Sequence, residues 1–110
     1  MSAPFQIGPR VLNAADEAIA HSVRGLAGVA VQLSGTFVGT VTFEGTIDGA
    51  NWTALNLVPS NSATAASTAT TTGIWMGNCA GLDAVRARLS AYTSGSVNAY
   101  LQGTLGAGRY

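Results

Sequence analysis

The chain has 110 residues, a length that predicts a single domain with one modest core. Only 9% of the residues are charged, against roughly 25% in an average soluble domain, and 47% are hydrophobic. Five arginines balance five acidic residues and lysine is absent, which excludes the basic surface typical of nucleic-acid or anionic-membrane binding. The single cysteine, Cys79, excludes an intrachain disulfide and predicts a small buried side chain.

The first segment, Met1–Arg10, contains two prolines with apolar side chains between them. The prolines argue against a central strand, and Phe5 and Ile7 argue against a free tail. We therefore predict an N-terminal arm that lies on a neighbouring subunit or on the core of its own chain. Of the two we favour an arm that crosses to the neighbour and does not build the fold, with Phe5, Ile7 and Arg10 in contact with the partner. The segment has no secretory leader pattern, and no later stretch approaches the roughly 20 apolar residues that span a bilayer.

The stretch 13–24 leaves two alternatives open. Asn13 could cap a short helix that carries acidic residues in its first turn. The same residues fit a loop followed by a strand over 18–23. The next alternation of apolar and polar residues, over 29–34, predicts a strand.

The clearest pattern of the chain is a hairpin over 39–55. Apolar residues alternate with polar ones at period two, which predicts a strand with one apolar face (Val41, Phe43, Ile47) and one polar face (Thr40, Thr42, Glu44, Thr46). Asp48, Gly49 and Asn51 supply the chemistry of a tight turn, so residues 52–57 should return antiparallel. Beside this turn, Trp52 is expected to cover the core.

The remaining residues predict further short strands separated by turns. The Ser-, Thr- and Ala-rich stretch 59–72 predicts a surface loop or an edge strand. Alternation then predicts strands over 73–77, 85–92 and 97–105. Because no long helices alternate with these strands, the fold class is all-β, an antiparallel β-sandwich or jelly-roll-like barrel over 29–105, with the short N-terminal helix as one alternative.

The sequence predicts neither an enzyme nor a cofactor or metal site. His21 is the only histidine, and no Gly-x-Ser-x-Gly motif is present that could pair with it. Asp48 and Asn51 offer too few carboxylates nearby for a calcium site, so we interpret them as turn residues.

Two groups of side chains are candidates for binding. Arg86 and Arg88 share one strand face, where they could bind an acidic strip on a partner or simply face water. Trp75, Tyr92 and Tyr100 could instead provide an aromatic platform for stacking on sugar rings, or pack in the core.

The hairpin 41–55, the Ser/Thr-rich loop, Gly73-Ile-Trp75 and the segment 82–90 together resemble small β-sandwich modules of tailed-bacteriophage virion proteins. This resemblance implies a structural protein of the virion, synthesised in the host cytoplasm. A single short domain favours a capsid decoration (cement) protein on the capsid surface, which forms a homotrimer and clamps the major capsid protein or another virion protein. The alternative is a carbohydrate-binding or tail/fibre module of the host-adsorption apparatus.

Overall fold

The computed structural model describes residues 6–105, and within this range every regular element is a β-strand. The strands in chain order are β1 (Gln6–Leu12), β2 (Ala18–Ser22), β3 (Gly28–Ser34), β4 (Phe37–Thr46), β5 (Thr53–Ala54), β6 (Val58–Pro59), β7 (Thr68–Ala69), β8 (Gly73–Asn78), β9 (Ala84–Gly95) and β10 (Val97–Thr104). The two alternatives for the stretch 13–24 are thereby resolved: a turn precedes β2, and no helix forms there.

Two antiparallel sheets pack face to face. The first sheet has the order β1-β10-β3-β8-β6, and the second has the order β2-β9-β4-β5, with β7 also paired to β4. Apolar side chains from both sheets fill the space between them, which confirms the predicted all-β sandwich.

Phe43 joins the two sheets at the centre of the core. Its side chain is fully buried, and its ring lies 5.5 Å from the ring of Trp75 on the first sheet. On β9, Val85, Ala87 and Leu89 are also fully buried and face the same core. The period-two alternation therefore identified the inner faces of these strands correctly.

The N-terminal segment differs from the predicted arm where the structure describes it. Residues 6–12 form β1, which pairs with β10 at the edge of the first sheet, and Ile7 packs against the core. The register shifts between Ile7 and Arg10, where Pro9 lies, so the proline is accommodated by a bulge in an edge strand. The expectation that this segment does not build the fold is wrong for residues 6–10, and Phe5 lies outside the described residues.

The central hairpin forms as predicted, with Glu44 opposite Ala54 and Gly45 opposite Thr53. Its two faces depart from the simple apolar and polar division. Because β4 ends at Thr46, Ile47 lies beyond the strand and is 74% exposed. On the other face Glu44 and Thr46 are buried, because hydrogen bonds satisfy their polar groups there.

Two further stretches close the fold. The Ser-, Thr- and Ala-rich stretch contributes β7 at the edge, in agreement with the edge-strand alternative. In β10, Val97, Ala99 and Leu101 are buried as predicted. Leu105 is exposed, because it follows the end of the strand.

Candidate functional site

The outer face of the second sheet carries a cluster of four charged residues. Glu44 lies directly opposite Arg86 in the pairing of β4 with β9, and the Arg86 Nε donates to Glu44 Oε1 over 2.7 Å. Arg88 donates to both carboxylate oxygens of Glu44, over 3.0 and 3.2 Å. The second arm of the Arg88 guanidinium donates to Asp16 Oδ1 over 2.8 Å. Two positive and two negative side chains thus neutralise one another within this cluster.

Burial and hydrogen bonding act in opposite directions on Glu44. The hydrogen bond from Arg88 is the largest influence and lowers the pKa of the Glu44 carboxyl, with further lowering by Arg86, while desolvation raises it. The net pKa lies below the ordinary value of 4.5, so Glu44 is ionised at neutral pH. Because both arginines are mostly covered, the cluster fixes β4 against β9 more firmly than an exposed ion pair would.

Trp52 covers this cluster rather than the hydrophobic core. The Arg86 guanidinium carbon lies 4.2 Å from the centre of the Trp52 ring, a cation–π contact. Trp52 is only half-buried, so the expectation that it covers the core is wrong. Trp52 stands two residues before Ala54, which lies opposite Glu44, so the period-two alternation directs the Trp52 ring to the same outer face as Glu44.

Asp48 holds the turn of the central hairpin. Its carboxylate accepts hydrogen bonds from the backbone N–H groups of Ala50 and Asn51, from the Asn51 side chain and from the Thr46 hydroxyl. These donors, the backbone of Asn51 foremost, hold the pKa of Asp48 far below its usual range. This geometry confirms the turn interpretation, since the carboxylate oxygens are occupied by donors of the turn itself.

The three aromatic residues proposed for sugar stacking lie apart. Trp75 is 5% exposed and contacts Phe43 in the core, so the prediction of a stacking role for its ring is wrong. Tyr92 belongs to β9 of the second sheet, where its hydroxyl donates to the carbonyl of Gly95. Tyr100 belongs to β10 of the first sheet and is half-buried. The described structure therefore has no common aromatic platform formed by these three rings.

Tyr100 instead borders a groove on the outer face of the first sheet. The groove has a volume of about 420 Å³ and is lined by Gln6, Ala30, Gln32, Ile74, Tyr100 and Gln102, above the buried Val31. Its lining contains uncharged amides, one phenol and apolar side chains. Gln6, Gln32 and Gln102 are all the glutamines of the chain, and they come from three adjacent strands.

Gly8 lets the Tyr100 ring lie across the edge strand. Its φ of +114° lies in a region that other residues rarely adopt. A Cβ at this position would approach the carbonyl oxygen of Ala99 to 2.7 Å and the Tyr100 ring to 3.2 Å. The absence of a side chain on Gly8 thus leaves room for one wall of the groove.

The residues predicted to bind a partner lie at separate places. Ile7 is packed on the core, Arg10 is exposed on the edge strand β1, and Phe5 lies outside the described residues. Arg86 and Arg88 are paired with Glu44 and do not extend freely into water. Whether any of these residues contacts a partner stays a prediction.

The remaining sequence candidates have local structural surroundings. Cys79 is buried as predicted, and desolvation raises the pKa of its thiol. His21 lies half-buried in β2, opposite Val85. Within residues 6–105, no group of three or more His, Cys, Asp or Glu side chains could hold a metal ion. The same range contains no helix that is long and apolar enough to cross a membrane.

The three glutamines of the groove are not among the binding candidates that the sequence pattern predicts. Gln32 is exposed between the buried Val31 and Leu33, and Gln102 is exposed between the buried Leu101 and Gly103. The alternation could have placed them on the outer face, but only the strand order brings the three together. That order pairs β1 with β10 and β10 with β3, which no local pattern indicates.

Comparison with known proteins identifies the fold. The sequence matches no protein-family model. It also matches none of the curated proteins. Among solved structures, the SPBc2 prophage-derived protein YomS is similar with a TM-score of 0.75 and 17% identity, over 90% of this chain and 91% of that one. The PBSX exported protein XepA is similar with a TM-score of 0.73 and 19% identity, over 94% of this chain but only 39% of that one. The chain therefore has a β-sandwich fold that also occurs in the prophage-derived protein YomS, over nearly its whole chain, and in part of the longer exported protein XepA.

Proposed function

We propose that this protein is a structural component of a bacteriophage particle that acts by binding other protein subunits and not by catalysis. The observation that supports this most is the similarity of fold to a prophage-derived protein over nearly the full length of both chains. The low content of charged residues adds support, because interfaces between subunits are depleted in charge.

The specific form of the proposal is a capsid decoration protein. A chain of this size would sit as a single small domain on the capsid surface and clamp neighbouring capsid subunits, as a homotrimer of the kind that the sequence resemblance implies.

Co-sedimentation with capsid shells tests this function. Purified protein would be mixed with shells of the phage that encodes it, and the bound fraction and the mass in solution would be measured. We expect saturable binding and the mass of a trimer. A monodisperse monomer that leaves all shells undecorated would contradict the proposal. An unrelated β-sandwich protein of similar size serves as the control for non-specific adsorption.

Arg10 offers a substitution within this assay. It is exposed on the edge strand β1, and an arginine fork suits contacts with carboxylates of a partner. Arg10→Ala should weaken shell binding if this edge docks. Arg24→Ala is the matched control, because Arg24 is also exposed but pairs with Asp83 in its own chain, with 2.7 Å between Arg24 Nε and Asp83 Oδ1.

A carbohydrate-binding or tail/fibre module is the second candidate. Two observations favour it: the fold makes up less than half of the exported protein XepA, and the groove beside Tyr100 presents amides that could bond sugar hydroxyls. A glycan array tests this function directly. Binding of a glycan by the wild type and its loss in Tyr100→Ala would favour this candidate, whereas equal binding by both proteins would exclude the groove.

A further inference from the structure

The outer face of the first sheet is neutral over three adjacent strands. β10, β3 and β8 contain no charged residue, and within the described part of the chain only Arg10 brings a charge into this sheet. On this face, Gln32 of β3 lies opposite Tyr100 on one neighbouring strand and opposite Ile74 on the other. Gln102 lies two residues beyond Tyr100 on β10 and is paired with Gln6 of β1. We call these five residues and Asn98 the glutamine face.

This composition is unusual for a sheet face that meets only water. Exposed faces of antiparallel sheets carry polar residues, and charged side chains are normally common among them. The centres of protein interfaces, by contrast, are depleted in charge and enriched in tyrosine and methionine. Tyr100 belongs to the glutamine face, and Met76 lies opposite Ala30 beside it.

We propose that the glutamine face packs against the same face of a second copy of this chain. A primary amide carries both a donor and an acceptor, so two identical amide-rich faces can satisfy each other, whereas faces with charges of one sign would repel. The formal net charge of the chain is zero, so two copies approach without long-range repulsion. Sheets that pack face to face lie about 10 Å apart, with strand directions within about 30° of each other.

The size of the face sets the expected strength. Four strands at roughly 4.8 Å spacing and about 23 Å of strand length give roughly 450 Å² on each copy. A pair would bury roughly 900 Å², which is below the roughly 1,200 Å² of stable specific interfaces and within the range of weak, transient ones. We therefore expect association that depends on concentration in the micromolar range, and not a permanent dimer.

Symmetry makes position 32 the test point. β3 is the middle strand of the five, and Gln32 is exposed near its middle. A two-fold contact places the centre of the face opposite itself, so position 32 of one copy faces position 32 of the other. Gln32→Glu keeps the shape of the side chain and adds one negative charge, while Gln32→Arg adds a positive one.

Sedimentation velocity over a range of protein concentrations tests the proposal. We expect the wild type to self-associate, each variant alone to associate at least about 10-fold more weakly, and an equal mixture of the two variants to regain association. Asn56→Asp adds the same charge at an exposed loop position and should behave as the wild type. Thermal unfolding checks that the variants fold, and Gln102→Glu replaces Gln32→Glu should the latter not fold.

Three outcomes would overturn the proposal. A wild type that stays monomeric at several hundred micromolar excludes the pair. Self-association that Gln32→Glu and Gln32→Arg leave unchanged places the contact elsewhere. A mixture that associates no better than the separate variants excludes the two-fold arrangement. A monomeric wild type would also count against the proposed trimer, whereas the other two outcomes concern this face alone. Shell binding is measured separately, so binding of shells with no pairing, or pairing with no binding of shells, shows which of the two proposals has failed.

Discussion

The outer faces of the two sheets use polar residues in opposite ways. On the second sheet, charged side chains bind one another, and Glu44, Arg86 and Arg88 connect adjacent strands. On the first sheet, uncharged amides such as Gln32 and Gln102 are exposed to solvent. The difference teaches that the charged face belongs to the stability of the domain, whereas the neutral face is the one left for another molecule. The charged residues would have been the more obvious choice for a binding site.

The largest effect is expected in the core that the two faces enclose. Phe43→Ala should lower the free energy of unfolding by about 3 to 5 kcal/mol, because it removes a fully buried ring that bridges the sheets and leaves a cavity. Thr42→Ala, on the outer side of the same strand, should cost about 1 kcal/mol or less, since it loses one hydrogen bond to Ser90. Chemical denaturation measures both, and equal losses would mean that the two sides of β4 are equivalent.

The second prediction contrasts the two outer faces directly. Glu44→Ala leaves two largely covered guanidinium groups without their carboxylate, and we expect a loss of about 2 to 3 kcal/mol, below the value for a fully buried pair because the arginines retain some water contact. Gln32→Ala on the first sheet should change the free energy of unfolding of the monomer by about 0.5 kcal/mol or less. Similar losses in both variants would contradict the division into a stabilising face and a free face.

The third prediction uses pH to isolate the charged face. In the folded protein the pKa of Glu44 lies below its ordinary value of 4.5, so the unfolded chain binds the proton more readily. The stabilisation that the ionised Glu44 contributes is therefore present above about pH 4.5 and is lost as the pH falls below that value. Asp48 adds a loss of the same sign. In Glu44→Gln the decline between pH 5 and 3 should be shallower, with the Asp48 part retained. Parallel curves for the two proteins would show that Glu44 is not stabilised by folding.

The smallest loss predicted on the charged face concerns the Trp52 ring over the cluster. Trp52→Leu keeps an apolar side chain but removes the cation–π contact with Arg86, and we expect a loss of about 0.5 to 1 kcal/mol. When Trp52→Leu is introduced into the Arg86→Ala variant, it should lower the free energy of unfolding by less than it does in the wild type. The difference between the two losses in this double-mutant cycle measures the contact. If the two losses are equal, the ring and the guanidinium do not interact in solution.

Local patterns predicted what depends on neighbours in sequence. The alternation of Val41 and Phe43, and the turn chemistry of Asp48, sufficed for the sandwich class and the central hairpin. These patterns failed where contacts between strands that are distant in the chain determine the structure. Trp52 was assigned to the core because its partner Arg86 lies far along the chain. The pairing of β1 with β10, which makes an edge strand of the predicted arm and assembles the glutamines, likewise has no local signal.

The strand order also makes the two sheets depend differently on the last strand of the fold. Every strand of the second sheet precedes β10 in the chain, whereas β10 lies inside the first sheet, between β1 and β3. β3 lies between β10 and β8, and β1 pairs only with β10 within the described residues. The first sheet therefore cannot be complete until β10, the last strand, has paired. Until β10 pairs, β3 therefore presents one unpaired edge, and an unpaired strand edge can pair with a strand of another chain.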